Sequence, residues 1–379
     1  MSSRGIDLIS AGHICLDITP RFPDSAAGRG LDKLLRPGAL IFMDGVTLST
    51  GGACANVGLC ARRMGLDVAL MGKCGDDALG KTLLAVLAGY SPAAAEGMAV
   101  TPGEQTSYSV VLAPPSSDRI FLHCPGANDT FSAADVDLER VARARLFYFG
   151  YPPLMARMYT GGGEELARLL SAVKGRGVTT ALDMALPDPS GPAGRADWPA
   201  ILRAALPHVD LFMPSVEELT FMLCRERYDK LSEGGEILDR IDVAHLRDLA
   251  DQCLALGPAV VMIKCGHHGL YFRSGSSARV AGMGSAAPAA AAWADVELFA
   301  PSYRVAKVVS ATGSGDAAVA GFLAGLLRGE SLARAADYAC SSGGQNVQAT
   351  DAVSGIRPWE ETTANLAGPR VEIPPRLRP

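Results

Sequence analysis

The chain has 379 residues, enough for one large α/β domain or two ordinary ones, and 48% hydrophobic with 20% charged residues is the composition of a globular chain with a full core. Forty acidic against 35 basic residues give a formal charge of −5, and no lysine or arginine cluster is long enough to grip a nucleic acid or an acidic membrane, which excludes polyanion partners. The nine cysteines are odd in number and lack a C-x-x-C pair, the opening MSSRGIDLISAGHICLD has no sustained apolar core, and no run reaches membrane length; reduced thiols and a cytoplasmic location are expected, with no disulfide framework or zinc site.

In chain order, short apolar runs at residues 6–11, 68–71, 146–149, 179–182, 211–213 and 260–263 predict buried strands. Helical patterns at 54–64, 78–87, 164–174, 216–224 and 243–256 fall between them. This alternation predicts an α/β fold, a mostly parallel central sheet with helices on both faces and ligands at the carboxyl ends of its strands. Two stretches break the pattern: 14–48 is rich in Pro and Gly, and in 105–124 two β-prone runs flank Pro114-Pro115-Ser116-Ser117-Asp118. They read as strands of a small β lid, drawn from about 12–50 and 103–125. Residues 264–269 read as a hairpin turn into 270–273, and the Ala-rich 285–294 as a surface loop. After Phe299 comes a β-like run at 303–309, a glycine knuckle, two successive helices and a C-terminal tail at 357–379; there is no internal repeat.

The knuckle reads Ser310-Ala-Thr-Gly-Ser-Gly-Asp316 and runs into Ala-Ala-Val-Ala-Gly-Phe322, apolar all round. Its glycines free the backbone to curl, so that amides of Gly313, Ser314 and Gly315 can converge on an anion at the positive end of a buried helix. Asp316 would then sit beside that anion, kept ionised by the helix end. A strand followed by Gly313-x-Gly315-x-x-Ala318 also fits a dinucleotide fingerprint, which requires an acid about 20 residues on at the end of a second strand. The candidate, Asp337, falls inside a helical pattern, so a nicotinamide or flavin site is disfavoured, and a G-x-x-x-x-G-K-[ST] P-loop is absent.

The knuckle resembles the D-T-x-G-A-G-D signature of the ribokinase-like (PfkB) carbohydrate kinases. Further motifs follow that family's order: Gly51-Gly52-Ala-Cys-Ala-Asn56, Ala61-Arg-Arg-Met-Gly65, Gly72-Lys-Cys-Gly75-Asp76-Asp77 with Gly80, Pro125-Gly-Ala-Asn128 and Lys264-Cys-Gly266-His-His-Gly269. The resemblance spans about residue 6 to about 355 and implies a single ribokinase-like kinase domain over 1–379. It further implies ATP and Mg2+ as nucleotide and metal, and a hydroxyl of a small sugar as acceptor. Asp316 becomes the base and Gly313, Ser314 and Gly315 the anion hole; Asp17, Gly51, Gly52 and Asn56 hold the acceptor. Lys264, Gly266, Gly269 and Asn346 border the nucleotide, and Glu218 helps to order the metal. Carboxylates suit polyols because each accepts two hydroxyl protons. Ser215-x-x-Glu218 equally spells a helix capping box, Gly51-Gly52 a turn and Asn56 a helix-start residue. Ser310 replaces an acid that in the family helps to hold a monovalent cation, so weak potassium activation is expected. Family members often pair through their lids, which allows for a homodimer. A nucleoside acceptor, or a sugar- or nucleotide-binding protein without catalysis, is the alternative; with only Phe22 and Phe42 available for stacking between Asp17 and Asn56, a sugar is favoured. The six histidines show no metal-ligand spacing.

Overall fold

The computed structural model describes residues 5–28, 34–115, 119–233 and 235–379. Residues 29–33 and 116–118, which belong to the expected lid, lie outside the described residues. In chain order the strands are β1 (Ile6–Gly12), β2 (Cys15–Arg21), β3 (Gly45–Gly51), β4 (Val68–Met71), β5 (Lys73–Gly75), β6 (Ala99–Thr101) and β7 (Tyr108–Leu112). There follow β8 (Ile120–Cys124), β9 (Ala144–Gly150), β10 (Thr179–Asp183), β11 (Leu211–Phe212), β12 (Val260–Lys264), β13 (Gly269–Ser274) and β14 (Glu297–Pro301).

Eight strands build the central sheet in the order β14-β13-β12-β11-β10-β9-β1-β4, parallel except for β13, which opposes both its neighbours. Alternation along each strand sorts the core into two layers. Leu8, Leu146, Tyr148, Val260 and Met262 face one side, and Ile9, Phe147, Phe149, Val261 and Ile263 the other, as the two-residue period of a strand requires. The first face is covered by the helices Ala53–Arg63, Ser314–Leu327 and Leu332–Asn346, the second by Glu164–Lys174, Trp198–Ala205, Val216–Leu223 and Val243–Leu256. The Ser314–Leu327 helix is buried from Asp316 to its end, because its Ala, Gly and Leu side chains allow close approach of the Leu332–Asn346 and Ala53–Arg63 helices.

From β1 the chain proceeds to β4 on one side and later to β9 and β10 on the other. A reversal of strand order of this kind opens a crevice at the carboxyl ends, the usual ligand position in such sheets. Over it stands a second sheet, β3-β2-β7-β8, built from the two stretches expected outside the main sheet.

One expected strand is absent. Of residues 303–309 only Tyr303 makes a bridge, to Arg370, and Val308 and Val309 are exposed. The sheet edge is already formed by β14, which buries Phe299 and Ala300, and valines without a partner edge do not make a strand. Residues 357–379 fold back on the body: Arg370 donates to the Pro301 carbonyl at 3.0 Å, and Leu377 is buried.

Candidate active site

Asp316 is the third residue of the Ser314–Leu327 helix, 1% exposed, and both its oxygens are engaged. Tyr151 Oη donates to Oδ1 at 2.7 Å and Asn56 Nδ2 to Oδ2 at 2.8 Å. Asn56 comes from the Ala53–Arg63 helix, so the two glycine-led motifs meet across 260 positions. Burial pushes the Asp316 carboxyl above its ordinary range, against the pull of Asn56, Tyr151 and Lys264. The helix end alone predicts the opposite sign. Desolvation prevails because the carboxylate has lost its water, leaving a more basic group.

Gly313 caps this helix in the left-handed region (φ 74°), and no side chain closes the helix start. A Cβ at Gly313 would fall 2.3 Å from Ala352 Cβ, so glycine is required twice over. The Ser314 amide donates to the Ala311 carbonyl at 3.2 Å, which leaves the Gly315 and Asp316 amides at the open helix end. Ser310 Oγ accepts from the Thr312 amide at 3.1 Å and so shapes the knuckle from within. Asn346 supports it from the neighbouring helix, donating to the Thr312 carbonyl at 2.8 Å.

Lys264 ends β12, and its side chain runs beside Gly315, with Nζ 3.8 Å from where a Cβ would stand. There it pairs with the fully buried Asp183 at the end of β10, Nζ to Oδ1 at 2.5 Å. Burial pushes the Asp183 carboxyl up against the pull of Lys264. For Lys264 burial acts downward, but Asp183 and Glu218 outweigh it and the ammonium is retained. The motif lysine therefore brings its charge to the knuckle, while Gly266 and Gly269 stay in the β12–β13 turn. Glu218 and Ser215 form the reciprocal capping box: Oε2 accepts from the Ser215 amide at 2.6 Å, and Ser215 Oγ from the Glu218 amide at 3.2 Å.

Asp17 lies in β2 above the crevice, where burial pushes its carboxyl up to about 6 against hydrogen bonds from Cys15 and Ser109 and the charge of Arg119. A Cβ at Gly51 would stand 2.4 Å from the Asp17 carboxylate, and one at Gly52, where φ is 86°, 2.5 Å from His13 Nδ1. The glycine pair thus lets the start of the Ala53–Arg63 helix close on Asp17 and His13. Asn128 explains another motif: it accepts from the Ile14 amide at 3.2 Å and donates to the Ile14 carbonyl at 2.9 Å, pinning the segment between β1 and β2. Asp77 is also architectural, capping the Ala78–Tyr90 helix at the Gly80 amide and accepting from Thr106. Inside the crevice, Asn56 Oδ1 and His13 Nδ1 are buried with no hydrogen-bond partner among the described residues, a condition that a bound polar ligand would relieve.

Five contributors escaped sequence reasoning. Tyr151 follows β9 in the left-handed conformation (φ 64°), unusual for a non-glycine and a mark of functional sites. Its only sequence signal is the aromatic-then-Pro-Pro ending of a predicted strand. Asp183, the last residue of a buried strand, could have been marked by its position. Arg119 reaches from the lid to Thr312 Oγ1 at 2.6 Å. His13 and His123 face each other, Nε2 to Nε2 at 3.3 Å.

The profile of the pfkB family carbohydrate kinases matches residues 31–359. An uncharacterized sugar kinase of Archaeoglobus fulgidus is 24% identical over 273 residues, 71% of this chain and 87% of that protein. Fructokinase-2 of Solanum lycopersicum is 28% identical over 151 residues, 39% of this chain and 42% of that protein. Among solved structures, Arabidopsis thaliana ribokinase complexed with ribose and ATP superposes with a TM-score of 0.67 at 18% identity, covering 95% of this chain and 98% of that one. No helix among the described residues is long and apolar enough to cross a membrane. With the matched profile covering most of its length and the ribokinase-like fold beneath it, the chain belongs to the pfkB family of carbohydrate kinases, phosphotransferases with an alcohol group as acceptor.

Proposed function

We propose that this kinase transfers the γ-phosphoryl group of ATP to a hydroxyl of a small sugar, with Asp316 as the base. The observation that carries the reading is the buried Asp316 carboxylate, held by Tyr151 and Asn56 at an uncapped helix start with the Lys264 ammonium beside Gly315. The acceptor hydroxyl, steered by Asp17 and the unpartnered Asn56 Oδ1, gives its proton to Asp316 as its oxygen bonds to phosphorus. The bond between phosphorus and the β–γ bridging oxygen breaks, and its electron pair leaves with ADP. Charge on the transferred oxygens meets the Gly315 and Asp316 amides, the helix end and Lys264, all in place beforehand.

Magnesium travelling with the nucleotide fits this site, because Glu218 and Asp183 place two carboxylates around one lysine. It would supply positive charge to the phosphates, with Glu218 as the residue to hold it. Gly266 and Gly269 then border the nucleotide from the β12–β13 turn, and Asn346 supports the knuckle beneath it.

The test is Asp316→Asn, which preserves shape and removes basicity. Turnover in an ADP-release assay, run on the acceptor found in a sugar screen, should fall by about 10²–10⁴, with ATP affinity changed by no more than a few-fold. Near-normal turnover would remove Asp316 from the role of base.

A further inference from the structure

His13, Cys15 and His123 meet at the edge of the acceptor crevice, each offering a ligand atom within 4.8 Å of the others. His13 and Cys15 stand either side of Ile14, whose amide and carbonyl are both clamped by Asn128, so their positions are set by backbone. His123 arrives from β8 of the lid, its Nδ1 oriented by Ser109 Oγ at 3.0 Å. An orienting partner on the far ring nitrogen is the usual support of a metal-binding histidine. The Nε2 atoms of the two rings lie 3.3 Å apart, and two nitrogens bound tetrahedrally at zinc distances are separated by about 3.3 Å. Asp17 Oδ1 stands 3.4 Å from Cys15 Sγ on the same side.

We propose that His13, Cys15 and His123 bind a transition-metal ion of the zinc class, with the Asp17 carboxylate, beside Cys15 but outside that cluster, turning in to complete a tetrahedral N₂SO set. The ion takes the place of the Nε2 proton between the two imidazoles, which moves to the Nδ1 of the same ring, and of the thiol proton, which passes to solvent. A dication with one thiolate and one carboxylate is neutral overall, which suits a site where His13 and Cys15 are almost fully buried. The exposed His123 side is the way in. A bound ion ties the lid strand β8 to β2 and occupies Asp17, so zinc should compete with the acceptor. That last consequence alone rests on the kinase reading above.

Cobalt(II) is the probe, titrated into the full-length protein under reducing conditions. The expected result is one equivalent bound, with the visible bands of tetrahedral cobalt and a near-ultraviolet thiolate-to-cobalt band. The thiolate band should vanish in Cys15→Ser and persist in Cys124→Ser, whose thiol is the neighbour of His123. His123→Ala should weaken binding by at least about tenfold, while His267→Ala, in a separate cluster with His268 and Asp239, should leave it unchanged. No tetrahedral spectrum, or a thiolate band that survives Cys15→Ser, overturns the site. With a sugar found by screening, zinc should raise the acceptor KM in the wild type and not in His123→Ala. A tetrahedral cobalt spectrum in a protein that phosphorylates no sugar would leave the metal site standing and the kinase reading refuted.

Discussion

Replacing Tyr151 with phenylalanine removes one oxygen and leaves the aromatic ring to fill its place. The lost hydroxyl donates to Asp316 Oδ1 at 2.7 Å, one of two side-chain donors on a carboxylate that is 1% exposed. A hydrogen bond to a charged group contributes about 1.5–3 kcal/mol, and 1.36 kcal/mol corresponds to one pKa unit, so the Asp316 pKa should rise by about 1 to 2 units. The sign follows from the charged form being the one that loses its donor: burial already pushes this carboxyl up, and Tyr151 opposes that push. A base must be deprotonated, so activity falls as pH drops through its pKa. The acidic limb of kcat/KM should therefore move to higher pH by the same about 1 to 2 units. The assay is a pH series of ADP release at limiting acceptor, wild type beside Tyr151→Phe. An acidic limb that stays in place while turnover continues would refute the claim that Tyr151 tunes this carboxylate.

The Lys264–Asp183 pair sets a second test: Lys264→Met leaves Asp183 buried without its cation and should cost about 3–5 kcal/mol of stability in urea unfolding. Adding Asp183→Asn should restore much of that loss while the charge beside Gly315 stays missing, so stability recovers and turnover does not; recovery of both would show that Lys264 is structural only. Since Ser310 carries no charge and turns its hydroxyl to the Thr312 amide, replacing a bulky organic cation with potassium should change the rate by less than about twofold. A large gain would mean that other groups hold a monovalent ion.

Much of the site was legible as motif because its glycines and acids act locally. Gly51 and Gly52 must stay small where a helix start meets Asp17 and His13, and Gly313 must be left-handed for the knuckle to close, so each leaves a mark at a fixed offset from its neighbours. The PGAN and GxxGxD motifs were equally legible as patterns, yet Asn128 and Asp77 prove to be backbone clamps that no spacing distinguishes from ligand contacts. Lys264 was read only as bordering the nucleotide; the position of β12 beside the knuckle is what turns its side chain toward Gly315. Tyr151, Asp183 and Arg119 act on partners 165, 81 and 193 positions away, and a local window carries no trace of such pairings.

By itself the sequence determined the layers of this protein, since strand and helix periods and the glycine punctuation are properties of neighbouring residues. The tertiary structure decided the electrostatics. Asp316 at a helix start reads as a carboxyl held low, and it becomes one held high only when the Ala53–Arg63 and Leu332–Asn346 helices pack around it and take its water away. Likewise three residues at positions 13, 15 and 123 with no ligand spacing become a cluster only when the lid brings β8 over β2. Solvent removal and convergence depend on which surfaces meet, and that is written in no single stretch of the chain.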